Sequence, residues 1–252
     1  VNDGPYERHV FIPDLHVPYH DPQAVAVAVA FVRELRPDHL WVLGDACDFY
    51  QLSRFDKDPA RVTALQDDAD QTADVLAGFR RAAPRARAHF IPGNHEGRLR
   101  KYLWTHATAL ARVRGNSIPE LLSLAKVGFD YVESGQARIA DLVIKHGNVV
   151  RTRAGNSANG ELDRVGVSGV SAHTHRAGHV YRTNEAGDFM WLESGCLCDL
   201  HPVYLEGQTA DWQHALAYGF LERGGNRFAT HLMKIVNGRV IYDGREITAR
   251  RA

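Results

Sequence analysis

Five short stretches carry side chains able to hold metal ions together. They are Asp14-Leu15-His16, Gly44-Asp45-Ala46-Cys47-Asp48, Gly93-Asn94-His95-Glu96, His146-Gly147 and His173-Thr174-His175. Aspartate oxygens, imidazole nitrogens and an asparagine carbonyl make a mixed hard and borderline ligand set. Such a set suits Mn, Fe, Zn, Co or Ni, and suits neither an all-oxygen calcium cage nor a thiolate zinc finger. Two ions about 3.5–4 Å apart need a shared carboxylate, and their joint pull on a bridging water makes hydroxide available near neutral pH. Asp45 is the natural bridge.

The elements around these stretches decide whether they can meet. Residues 9–12 form a short apolar run stopped by Pro13, a buried first strand that delivers Asp14 and His16 at its end. Asp21 and Pro22 open a helix that closes before Pro37. A second strand over 39–43 ends in Gly44-Asp45. A long helix is expected over 60–83, with Val62, Leu65, Ala69, Thr72, Leu76 and Phe79 on one face. A third strand over 86–91 runs into Gly93-Asn94-His95. This β-α-β-α-β order predicts a mostly parallel sheet, because each parallel crossover needs a helix-length connection. Ligands in such folds sit beyond the carboxyl ends of the strands.

Downstream, Leu99, Leu103, Leu110 and Val113 predict a helix over 98–114, with a shorter one over 117–127. Short strands over 129–132, 137–140 and 142–145 lead to His146 and predict a second sheet packed on the first. Residues 151–159 read as a polar loop and 161–165 as a brief helix. A strand over 167–172 reaches His173. A hairpin follows over 179–183 and 188–193, then strands over 217–222, 228–236 and 239–242, with Asn237-Gly238 as the strongest turn signal.

Thirty basic residues balance thirty acidic ones in 252, which excludes the global charge of a nucleic-acid or membrane binder but allows a local basic patch. Three cysteines form no disulfide framework, and no run of eighteen apolar residues occurs. A soluble, cytoplasmic protein without a membrane partner is expected.

Taken in order, Asp14-x-His16, Gly44-Asp45-x-x-Asp48, Gly93-Asn94-His95-Glu96, His146 and His173-x-His175 resemble the calcineurin-like metallophosphoesterase superfamily. Ser194-Gly195-Cys196-Leu197 resembles the small-residue turn that often follows in it. With the element order, the resemblance implies an α/β fold: a four-layer α/β/β/α sandwich of two mixed sheets flanked by helices. It would form one domain over 1–252 with a helical insertion at about 97–127. It also implies two divalent ions, with Asp14, His16 and His175 on one, Asn94, His146 and His173 on the other, and Asp45 between them. His95 would face the scissile phosphate as acid, and Asp48 would orient it. The sequence departs from the family in Ala172, where glycine is usual, and in Glu96, where aspartate is common.

The expected reaction is phosphoester hydrolysis, phosphodiesters preferred, on a nucleotide or nucleic-acid substrate. Arg98 at a helix start and Arg176 beyond His175 are candidate substrate contacts. Tyr204, Trp212, His214 and Tyr218 are packing residues or stacking platforms for a base. A phosphomonoesterase or protein phosphatase on the same site is the nearest alternative, and a non-catalytic interaction module the next. A metal-independent nucleotide-binding domain is disfavoured, because residues 13–18 are no glycine-rich phosphate loop.

Overall fold

The computed structural model describes residues 4–61 and 63–249. In chain order the elements are β1 (Tyr6–Ile12), α1 (Pro22–Leu35), β2 (His39–Val42), α2 (Leu65–Ala82), β3 (Arg87–Phe90), α3 (Glu96–His106), α4 (Ile118–Leu121), α5 (Leu124–Val127) and β4 (Asp130–Tyr131). Next come β5 (Gln136–Ile139), β6 (Leu142–Lys145), α6 (Asn156–Val165), β7 (Ser168–Ser171), β8 (Ala177–Asn184), β9 (Gly187–Ser194), β10 (Ala215–Glu222), β11 (Phe228–Lys234), β12 (Arg239–Tyr242) and β13 (Arg245–Thr248).

Two large sheets form, in the orders β11-β10-β1-β2-β3-β4 and β5-β6-β7-β9-β8, with β12-β13 as a separate hairpin. Strands β1 to β4 run parallel, β10 pairs antiparallel with β1, and β11 pairs antiparallel with β10. In the second sheet β6, β7 and β9 are parallel, with antiparallel β5 and β8 at the edges. Both sheets are therefore mixed.

Alternation along the strands sorts the core into layers, because successive side chains leave opposite faces. Val10, Ile12, Leu40, Val42, Ala88 and Phe90 turn toward α1 and α2. Their neighbours Phe11, Trp41, Leu43 and Ile91 meet Leu142, Ile144, Val170 and Leu192 of the second sheet. On that sheet's far side Val143 and Trp191 pack with Ala158 and Leu162 of α6.

Helix α1 begins as expected: the Asp21 carboxylate accepts from the Ala24 N–H at 2.8 Å, with Pro22 at the first helical position. Other bounds differ. The long helix starts at Leu65 instead of residue 60, after a 3₁₀ turn over Pro59–Arg61, and Val62 lies outside the described residues. Helix α3 stops at His106; Leu110, which ends a 3₁₀ turn over Thr108–Leu110, and Val113 beyond it are 51% and 50% exposed and share no stripe with buried Leu99 and Leu103. The 117–127 segment splits into α4 and α5 at Ser123, whose φ is +50°. Helix α6 starts at Asn156, five residues before the expected start, inside the predicted loop. The Asn237-Gly238 turn forms, both residues at positive φ, with Val236 and Arg239 exchanging two backbone hydrogen bonds. The ladder beyond it pairs β12 with β13, a strand the sequence did not reveal.

Candidate metal centre

The parallel strands β1, β2 and β3 of one sheet and β6 and β7 of the other end at the same edge, and each ends in one of the five stretches. Two glycines let the first sheet close up there. Gly44 has φ +89°, and a Cβ on it would lie 2.5 Å from the Gly93 nitrogen. A Cβ on Gly93 would lie 2.1 Å from Asp45 Oδ1. Asp14, His16, Asp45, His173 and His175 all adopt positive φ, a conformation that costs a non-glycine residue about 1–3 kcal/mol and persists only where surroundings impose it. The surroundings are visible: His16 N donates to the Asp45 carbonyl at 2.8 Å, and His173 N to Asp14 Oδ2 at 2.8 Å. Ala172 is not in that conformation; its N–H bonds to the His146 carbonyl and its methyl packs between the sheets, so glycine is not required.

Donor atoms gather in two groups. Asp14, His16 and His175 bring ligand atoms within 4.8 Å of one another, with His16 Nε2 and His175 Nε2 3.0 Å apart. Asp45, His146 and His173 form the second group, where His146 Nε2 lies 3.1 Å from His173 Nδ1 and 3.0 Å from Asn94 Oδ1. Asp45 Oδ2 stands between, 3.3 Å from His146 Nε2 and 3.8 Å from His16 Nε2. The His146 Nδ1–H donates to the Leu43 carbonyl at 2.7 Å, which turns Nε2 toward the group.

The electrostatics call for cations here. Burial pushes the Asp14 carboxyl well above the usual carboxylate range, and its Oδ1 is buried without a hydrogen-bond partner. Burial acts on Asp45 in the same sense, yet His146 and His95 hold it well below that range. Burial opposes charge on His146, but the Asp45 and Asp14 carboxylates raise it to about 10. Burial and that neighbouring imidazole push His173 down to about 4. A proton on His146 thus supplies positive charge that a divalent ion, with Nε2 as ligand, would supply in its place. The donor set fits borderline divalent ions.

His95 and Asp48 lie beside these groups. The His95 Nδ1–H donates to the Asp48 backbone carbonyl at 2.8 Å, and its Nε2 accepts from Arg98 Nη2 at 2.9 Å. The Asp48 carboxylate is nearer to His16, with Oδ2 3.0 Å from His16 Nδ1 against 3.4 Å from His95 Nδ1. Burial works against charge on His95, but Asp45 and Asp48 raise its pKa overall. Arg98 also donates to the Asp48 carbonyl at 2.8 Å. Arg176 is turned elsewhere: it bonds the Arg151 carbonyl at 2.9 Å and pairs with Asp211 at 3.3 Å. Trp212 packs edge-on against His175, while Tyr218 joins Phe31 and Tyr242 in the core.

Three buried glutamates brace this edge, none of them assigned a role from the sequence. The Glu96 carboxylate accepts from the backbone N–H groups of Gly93 (2.7 Å), Asp45 (2.9 Å), Ala46 (2.9 Å) and Cys47 (3.3 Å), tying two motifs together. Glu161 accepts from Asn148 and Val149 N–H and pairs with Lys145, bracing the chain on both sides of His146. Glu193 accepts from Gly155 N–H and the Thr174 hydroxyl, between His173 and His175. Position after Asn-His was the one available signal for Glu96; nothing in the sequence distinguishes the other two.

A family model described as calcineurin-like phosphoesterase matches residues 8–231. The chain belongs to this family. As a calcineurin-like phosphoesterase it resembles two phage proteins along nearly their whole length. The Gene 54 protein of Mycobacterium phage D29 is 27% identical over 250 residues, covering 94% of this chain and 97% of the phage protein. That of Mycobacterium phage L5 is 27% identical over 251 residues, covering 95% and 98%. Among solved structures, vacuolar protein sorting 29 from Cryptosporidium parvum superposes with a TM-score of 0.51 at 13% identity, covering 97% of this chain and 100% of that one. That likeness concerns the fold alone. No helix among the described residues is long and apolar enough to cross a membrane.

Proposed function

We propose that this phosphoesterase is a dinuclear metal enzyme that hydrolyses phosphodiesters, of nucleotide or nucleic-acid type, in preference to monoesters. Asp14, His16 and His175 would hold one ion, Asn94, His146 and His173 the other, and Asp45 both. The observation that carries this reading is the place of Asp45 Oδ2, between two groups of inward-facing donors. Mn, Fe, Zn, Ni or Co in the pair supplies Lewis acidity toward phosphoryl oxygens and a water acidic enough to ionise near neutral pH.

The chain's own residues do the rest. Asp45 and Asp48 favour the protonated form of His95, and the proton it gives to the leaving oxygen sits on Nε2. In the neutral ring that atom accepts from Arg98, so its protonation requires Arg98 to turn away, toward a phosphate oxygen of the substrate. Asp48 keeps the His95 ring in place through its backbone carbonyl. The diester preference rests on the basic and aromatic side chains near Asn94. The three free thiols suit a reducing compartment, and we place the enzyme in the cytoplasm, with residues 97–127 as a helical insertion in one domain.

Stripping the protein, restoring each metal singly and assaying a generic aryl diester beside its monoester tests the proposal. Turnover with at least one metal, faster for the diester, is expected. If no metal restores turnover, the enzyme reading fails and an interaction module takes its place; if Asp45→Asn leaves turnover intact, the centre built on Asp45 is refuted.

A further inference from the structure

Beside Asn94 opens a groove of about 590 Å³, large enough for one or two nucleotide units. Arg54, Phe55 and Lys57 bound one side, in the loop after β2. The other side is helix α3, where Arg98, Lys101, Tyr102 and Thr105 recur at three and four residues and so share one face, opposite buried Leu99 and Leu103. Among the described residues that line the groove none is acidic; Asp56 and Asp58 belong to the same loop but not to the lining. In a chain of balanced charge, four cations along one channel are a local concentration.

The aromatic side chains are exposed as well. Phe55 is 66% and Tyr102 43% exposed. The Arg54 guanidinium stands 5.2 Å over the Phe55 ring, a cation and a flat apolar face presented together. Cations that follow a backbone, interleaved with rings on which bases can stack, are what a single nucleic-acid strand requires. A phosphopeptide would use the cations but leave the two rings without a matching flat partner.

We propose that this groove binds single-stranded nucleic acid running outward from the scissile phosphate, with phosphates on Arg54, Lys57 and Lys101 and bases against Phe55 and Tyr102. The proposal rests on the phosphoester reading of the neighbouring centre, yet it is testable apart from it. Fluorescence anisotropy of a labelled ten-nucleotide thymidine strand with cleavage-resistant phosphorothioate links measures binding to the full-length, Mn-loaded protein. Melting by circular dichroism checks that the variants fold.

In Arg54→Ala/Lys57→Ala/Lys101→Ala, affinity at 0.1 M salt falls at least tenfold. The slope of log K against log salt becomes shallower by about 2, three phosphate contacts at about 0.7 each. Phe55→Ala alone weakens binding about fivefold or more. Binding equal to wild type in the triple variant overturns the proposal. So does a phosphopeptide that binds with the same dependence on these residues while the thymidine strand does not. A protein that binds the strand through these residues but hydrolyses no small diester refutes the reading of the centre and leaves the groove standing.

Discussion

Asp48 separates two ways in which the centre could work, and a single substitution tells them apart. Its carboxylate is charged at any working pH: burial pushes the pKa up, but the hydrogen bond from His16 and the nearby His95 ring bring it below the usual range. At 3.0 Å from His16 Nδ1 it fixes the tautomer that leaves His16 Nε2 free to bind a metal. The His95 Nδ1–H is already satisfied by the Asp48 carbonyl at 2.8 Å, which no side-chain change removes. Asp48→Ala therefore leaves His95 held by that carbonyl and charged chiefly through Asp45, the larger influence on it, and acts mainly on His16. Loss of such a carboxylate behind a ligand histidine costs about 10–100-fold in metal affinity, or about 1.4–2.8 kcal/mol.

Isothermal titration of stripped protein with Mn or Zn reads that loss directly. Asp48→Asn, whose neutral oxygen can still accept from Nδ1–H, should fall between wild type and the alanine variant. At saturating metal, the dependence of kcat on leaving-group pKa should stay as in wild type. The reasoning is refuted if metal affinity changes by less than about twofold while kcat falls most for poor leaving groups, since Asp48 would then act through His95.

Two further outcomes follow from buried groups. Glu96→Gln removes the charge that accepts four backbone N–H groups and turns an amide donor toward some of them; the expected cost is about 3 kcal/mol, a fall of about 6–12 °C in Tm by calorimetry, with weakened metal binding. His9, in the middle of β1, is stacked on His39 and accepts from Trp41 Nε1–H; burial and His39 push it down to about 3. Its stabilising effect is therefore present above the unfolded pKa near 6.5 and lost as pH falls toward 3, at up to about 1.4 kcal/mol per pH unit. Denaturant midpoints between pH 7.5 and 4.5 should fall more gently in His9→Gln than in wild type, and equal slopes would remove His9 from the account.

The sequence displayed the candidate ligands more clearly than the frame that holds them. Few residue types can bind a metal, and where they end buried strands their identity and position together are informative: Asp14, Asp45, Asn94, His146 and His173 do gather at one edge. Helix bounds were less visible where small or polar residues pack. Residues 151–159 read as loop by composition, yet Ser157 and Ala158 are buried, and just beyond them a Cβ on Gly160 would lie 2.7 Å from Val149 Cγ1. Those residues are small because α6 lies close to the chain beneath it, and a pattern reading takes the same smallness for flexibility. Leu110 and Val113 misled in the opposite way, continuing a helical spacing past His106 while standing half in solvent.

The glutamates show why the ligands alone are insufficient. Loops that leave a sheet edge and turn inward carry backbone N–H groups away from water, and each such group needs an acceptor. Here the acceptors are carboxylates: Glu96 behind the Gly44-Asp45 and Gly93-Asn94 turns, Glu161 behind Asn148 and Val149, Glu193 behind Gly155, and Asp14 itself under His173 N. A neutral acceptor would satisfy the same donors, but each carboxylate forms a stronger bond and also adds negative charge behind the ligands. Two divalent ions would supply compensating charge for that arrangement. The same groups that hold these strained loops in shape would thus increase the electrostatic gain on binding a divalent ion, coupling the rigidity of the edge to its affinity for cations.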